Sequence, residues 1–169
     1  MKIVVTDACI FIDLIELRLL TQFFGLNLEV HTTLDVYHEL FSNQQEFLDA
    51  YKSVKKLTLH NLQPKEWETI LNDSFPKSLS DIDKTVIYLA QKISGTILSS
   101  DKAIRNYSKQ NSIPYHGMLW IFDQLINFEL ISKQTAVEKI NQLVAQNITY
   151  QNNAELTYEI NKRIQLWEL

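Results

Sequence analysis

Four acids stand where the chain would leave a buried strand or enter a long apolar helix. Asp7 follows the apolar run Ile3-Val4-Val5, and Asp101 follows Thr96-Ile97-Leu98-Ser99-Ser100. Glu39 falls in the segment after the extended stretch Glu29 to Thr33, and Asp83 sits at the front of the apolar stretch Thr85 to Ile93. In a parallel α/β sheet every strand exits at the same edge, and ligands gather outside the carboxyl ends of the strands. Acids distant in sequence are thereby expected to converge. Converging carboxylates repel one another unless a cation neutralises them, and hard cations such as Mg²⁺ and Mn²⁺ select oxygen ligands. The chemistry that suits such a set is phosphodiester hydrolysis. A bound divalent ion stabilises the charge that builds on the phosphoryl and leaving oxygens and lowers the pKa of an attacking water.

Each acid also has a plainer reading. Asp7 and Asp101 are candidate helix N-caps. Ser80-Asp81-Ile82-Asp83 resembles a capping box, with the acid returning to the cap residue. Glu39 on its own reads as a solvated helix acid. The plainer readings are weaker taken together, because they require four separate accidents along one sheet edge.

The elements that must position these residues can be read from periodicity. Strands are expected at Lys2 to Thr6, Glu29 to His31, Leu57 to Leu59, Thr96 to Leu98 and Ile113 to Tyr115, from short apolar runs rich in β-branched residues. Helices are expected over Ala8 to Leu20, Leu34 to Phe41 with Thr32 or Thr33 as cap, Gln44 to Lys56, and Pro64 to Leu71. Ser80 to Ser94 is the strongest helix, with Gly95 as its stop. Lys102 to Gln110, capped by Ser100 or Asp101, and Met118 to Phe128 complete the body. Two amphipathic helices follow, Gln134 to Ala145 and Ala154 to Trp167. The expectation is an α/β fold: a parallel sheet of about five strands with helices on both faces, plus C-terminal helices. No linker or repeat divides the chain, so residues 1–169 read as a single domain, 1–130 its core and 131–169 a helical extension.

The 169 residues suffice for one substantial core, and the 46% apolar and 21% charged shares are ordinary for a globular chain. Three Gly and three Pro leave little room for long irregular loops. The net charge of −4 is not the basic excess that often marks a nucleic-acid binder. A four-acid metal site accounts for part of that deficit. The single cysteine, Cys9, excludes an internal disulfide and a thiolate zinc cluster. With no apolar signal core at the start and no run of about 20 apolar residues, the expected location is cytoplasmic, away from membranes.

Four stretches resemble the PIN-domain family of nucleases: Val4 to Ile12, Thr32 to Leu40, Leu79 to Ala90 and Gly95 to Ile104. Order and spacing fit the family from Lys2 to about Phe128. The resemblance implies a PIN-like fold and endonucleolytic cleavage of RNA that depends on Mg²⁺ or Mn²⁺. It implies that Asp7, Glu39, Asp83 and Asp101 are the catalytic, metal-binding acids, with Asp81 the rival to Asp83. Ser99 matches the family's small hydroxyl two residues before the fourth acid, where it supports the site. The position of Cys9 is more often Ser or Asn in the family; here it reads as a small buried hydrophobe rather than a reactive thiol. Such proteins are often toxins blocked by a small antitoxin partner, and the extra helices are candidates for docking that partner or a second copy. The alternative is a PIN-like module that has lost catalysis and binds RNA or protein.

Lys102, Arg105 and Lys109 recur along the helix that begins after Asp101 and are candidates for phosphate contact, with a solvated face as the plain alternative. Lys52, Lys55 and Lys56 form a second short basic cluster with the same two readings. His31, His38, His60 and His116 lack metal-ligand spacing, and Trp120 reads as core or interface rather than as a stacking platform.

Overall fold

The computed structural model describes residues 1–169. Five parallel strands form one sheet: β1 (Lys2–Thr6), β2 (Leu28–Thr33), β3 (Leu57–His60), β4 (Thr96–Leu98) and β5 (Tyr115–His116), in spatial order β3-β2-β1-β4-β5. The chain first winds outward from β1 through β2 to β3. It then crosses back to the other side of β1 with β4 and continues to β5. The boundary between β1 and β4 is therefore the point where the winding reverses, the place where open α/β sheets receive ligands. Val4, Val5, Val30, Ile97 and Leu98 are buried, as expected of strands covered on both faces.

Ten α-helices accompany the sheet. After β1 come α1 (Ala8–Glu16) and α2 (Leu20–Gly25), and after β2 come α3 (Leu34–Glu39) and α4 (Ser42–Ser53). α5 (Pro64–Asn72) and α6 (Asp81–Lys92) bridge β3 to β4, α7 (Lys102–Gln110) follows β4, and α8 (Met118–Asn127) follows β5. α9 (Lys133–Gln146), a 3-10 turn (Ile148–Tyr150) and α10 (Ala154–Glu168) close the chain. No helix is long and apolar enough to cross a membrane. The C-terminal helices share the main core: Ala136, Ile140, Leu143, Tyr150, Ile160 and Trp167 belong to the same buried cluster as Val5 and Phe11.

Several local expectations need correction. Ala8 to Leu20 is two helices, because Arg18 adopts φ 57 and turns the chain between buried Leu17 and Leu19. The apolar pattern of Ile15, Leu17 and Leu19 runs on through that turn, and no Gly, Pro or Asn signals it. α6 ends through Ser94, at φ 53, rather than through Gly95. Gly95 is needed for a different reason: a Cβ there would stand 3.2 Å from Val5 Cγ2 and 3.3 Å from Ile3 Cγ2. α4 ends at Ser53 rather than Lys56; only its Leu48 is fully buried, while Phe47 and the C-cap Val54 are exposed. The helix meets the body through Leu48 and through Tyr51, which stacks on Phe24 at 4.0 Å. The last strand is Tyr115–His116, two residues later than the apolar run suggested.

Candidate metal centre at the β1–β4 switch

The site is built outward from the end of β1. Asp7 leaves the strand with an extended backbone and caps α1, its Oδ1 accepting the Ile10 N–H at 3.1 Å. Its own N–H is tied to Leu98 O of β4 at 3.1 Å. The carboxylate is buried, only 6% exposed, and its other oxygen accepts a short hydrogen bond from the Ser99 hydroxyl. That hydroxyl in turn accepts the Asp101 N–H at 3.0 Å. A residue from β1 and a turn from β4 are thus locked together through one serine.

Cys9 completes the cradle, at the position where the family more often has Ser or Asn. Its thiol donates to both Asp7 oxygens, at 2.9 and 3.0 Å, and its sulfur accepts the Ser100 N–H at 3.4 Å. Rather than a passive small hydrophobe, it is a donor to the buried carboxylate. Burial and the adjacent Asp7 charge push its thiol pKa well up, so it stays protonated and unreactive. Burial also raises Asp7 itself to about 6, against the pull of its three donors, with the Asp101 charge adding to the rise.

The second half of the site lies past β2. The Thr33 hydroxyl caps α3, accepting from Val36 N at 3.2 Å, and Thr32 donates to Thr6 O at 2.6 Å. Glu39 ends α3 as an exposed residue. The Thr33 and Thr85 hydroxyls meet at 3.0 Å, which fastens the front of α6 to the carboxyl end of β2. Asp83, half-buried on that front turn, accepts Ser80 N–H at 2.8 Å while the Ser80 hydroxyl accepts its N–H at 3.1 Å. This is the expected capping box. Partial desolvation first, and the Asp83 charge second, raise the Glu39 pKa. Asp81, the rival third acid, points its charge at Lys84 at 2.8 Å.

All four expected acids therefore stand at the carboxyl edge, but as two pairs, Asp7 with Asp101 and Glu39 with Asp83. No three His, Cys, Asp or Glu side chains stand close enough together to hold an ion between them. The reason is visible in the caps: Asp101 is turned onto Ile104 N at 2.9 Å, and Asp83 onto Ser80 N. The donor set nonetheless suits a hard divalent cation. Asp101 Oδ2, Asp83 Oδ1 and both Glu39 oxygens receive no protein hydrogen bond, and every donor is a carboxylate oxygen. Lys102, Arg105 and Lys109 lie on α7 and, with Asp101, line a groove that opens from this end.

A family model described as DUF3368, a PIN domain, matches residues 3–164, nearly the whole chain. The chain belongs to the PIN-domain family. The match runs past Phe128 into α10, so the family likeness extends beyond the part covered by the four motifs. No curated protein sequence matches the chain. Family membership brings a nuclease-type fold and points to nucleic acid as the substrate class. In this PIN domain the sequence offered Thr33 as a cap and Cys9 as a departure from the family, but not Thr85 nor the two donor bonds of Cys9. Cys9 stands two residues beyond a cap, and the two threonines meet across 52 residues of chain.

Proposed function

We propose that this PIN domain is a Mg²⁺- or Mn²⁺-dependent endoribonuclease in which Asp7, Glu39, Asp83 and Asp101 hold the ion. The observation that carries the reading is the buried Asp7 carboxylate at the β1–β4 reversal, coupled through Ser99 to Asp101. A carboxylate with three donors aimed at it, yet raised to about 6, is a group held ready for a positive charge. When bound, the ion supplies Lewis-acid stabilisation of the phosphoryl oxygens and an acidified water. Ser99 and Cys9 orient Asp7 by donating to it, and Ile10 N fixes its rotamer. Asp101, Asp83 and Glu39 contribute their unshared oxygens from three different elements. The same reading includes the role of a cytoplasmic toxin held in check by a small antitoxin that covers the acidic edge.

The test is cleavage of a single-stranded RNA by purified protein with Mn²⁺. Cutting is expected to stop on chelation and to be lost in Asp7→Asn and in Asp101→Asn, both still folded by circular dichroism. Undiminished cutting in both variants contradicts the assignment. One observation favours a second reading, a catalytically silent module that binds RNA or protein: the acids stand in two pairs rather than one cluster. That reading expects RNA binding without metal-dependent cutting in the wild-type protein.

A further inference from the structure

A groove of about 650 Å³ runs from Ser100 and Asp101 between α7 on one side and the 3-10 turn and α10 on the other. Its C-terminal wall is pinned to the site. The Tyr150 hydroxyl meets the Ser100 hydroxyl at 2.7 Å, and Asn147 Nδ2 donates to Asp13 at 3.0 Å. The first wall is unusual for this chain. The protein carries a net charge of −4, yet α7 holds Lys102, Arg105 and Lys109 with no acid among its nine residues. None of the three is in an ion pair. Arg163, on the opposite wall, is fully engaged by Asp123 and Glu159 at 2.9 Å each.

Aromatic rings lie among these charges. The Arg105 guanidinium sits over the Tyr115 ring at 5.6 Å, and His116 stacks on Trp120 at 4.4 Å with planes 2° apart. Tyr115, His116 and Trp120 all line the groove. Uncompensated cations interleaved with aromatic faces are what a single nucleic-acid strand uses, phosphates on the cations and bases on the rings. An acidic peptide would use the cations alone and leave the aromatic faces of Tyr115, His116 and Trp120 without a partner. The size falls within the ~300–1,000 Å³ of small-ligand clefts, room for a short strand segment.

We propose that the groove between α7 and the C-terminal 3-10 turn and α10 seats the single-stranded RNA flanking the cut, with Lys102, Arg105 and Lys109 on its phosphates and Trp120 beneath a base. Its role in cleavage rests on the nuclease reading; its capacity to bind does not. The groove extends the site onto the last third of the chain, and Trp120, expected to be core or interface, becomes a contact residue.

The test is fluorescence anisotropy with a labelled oligouridine of about twelve nucleotides, a length matched to single-strand sites of ~4–16 nucleotides. It is run in chelator, so cleavage plays no part. The triple variant Lys102→Gln/Arg105→Gln/Lys109→Gln is expected to bind about tenfold more weakly or worse. The slope of log affinity against log salt should become shallower by about two, given ~0.7 per phosphate contact. Trp120→Leu should weaken binding about tenfold at unchanged salt slope, and Glu155→Lys should tighten it several-fold. A control with equal charge change on exposed sites elsewhere, Lys65→Gln/Lys77→Gln/Lys133→Gln, should leave the slope within about 0.5 of the wild type's. The proposal is overturned if the wild type does not bind, if the two triple variants behave alike, or if oligoglutamate displaces the RNA from wild type at equal charge. Failure of the wild type to cut RNA with Mn²⁺ while these binding effects hold would remove the nuclease reading and leave the groove assigned. Cutting that survives the α7 triple variant unweakened would do the reverse.

Discussion

Ser99 donates its hydroxyl proton to Asp7, 92 residues earlier in the chain, and accepts the N–H of Asp101 on the same oxygen. One side chain thereby fixes the relative position of two acids from neighbouring parallel strands. A hydrogen bond to a charged group is worth ~1.5–3 kcal/mol, and its loss leaves a buried acceptor with one donor fewer. Ser99→Ala is therefore expected to lower stability by about 2 kcal/mol in metal-free protein. Because the hydroxyl favours ionised Asp7, the cost should be larger at pH 8 than at pH 5, where the carboxyl raised to about 6 is protonated. Urea unfolding of both proteins at the two pH values measures this.

Asp83 caps α6 and is a proposed metal ligand, two roles that different substitutions separate. Asn at this position keeps an oxygen for the Ser80 N–H, whereas Ala does not. Asp83→Asn is expected to stay within about 0.5 kcal/mol of wild type, since it also relieves the Glu39 charge. Asp83→Ala and Ser80→Ala should each cost about 1 kcal/mol, the usual value of a lost cap. Thermal unfolding reads the stability. Mn²⁺ affinity should fall in both Asp83 variants and hold in Ser80→Ala.

Most of the framework could be read from the chain because its signals are local. Ile3-Val4-Val5 and Thr96-Ile97-Leu98 read as buried strands from short β-branched apolar runs, which places the acid that follows each near a strand exit. Ser80 and Asp83 announce their own helix start. The turn at Arg18 was hidden because Leu17 and Leu19 keep the apolar pattern going through a left-handed residue. Gly95 reads as a helix stop, a part that Ser94 takes instead, and its role as a clearance for Val5 and Ile3 was not legible, because they are adjacent to it only after β4 has paired with β1. The Cys9 donor role was open, since a thiol two residues past Asp7 reads the same whether it turns toward that carboxylate or into the core. The pairing of the acids depends on rotamers that the caps choose, and no spacing rule encodes it.

Asp13 offers a pH-dependent test away from the proposed metal acids. It is 3% exposed; Oδ1 accepts from Asn147, and Oδ2 is buried with no partner. Burial raises its carboxyl from 3.8 to about 6. A raised carboxyl binds its proton more tightly in the folded state. Its stability contribution is complete below about pH 4 and is lost as pH climbs through about 6. Asp13→Asn keeps the acceptor for Asn147 and removes the buried charge. It is expected to stabilise the protein by about 1–2 kcal/mol at pH 8 and by much less at pH 4.5. Denaturant midpoints across that range check the sign.

Whether the four acids act as one site is decided most directly by calorimetric Mn²⁺ titration of the wild type and of Asp7→Asn, Glu39→Gln, Asp83→Asn and Asp101→Asn. A single shared site requires each substitution alone to weaken the same binding event by about tenfold or more, although the four acids come from four different segments. Ion binding that depends on Asp7 and Asp101 but is indifferent to Glu39 and Asp83, or no binding in the wild type, would contradict it.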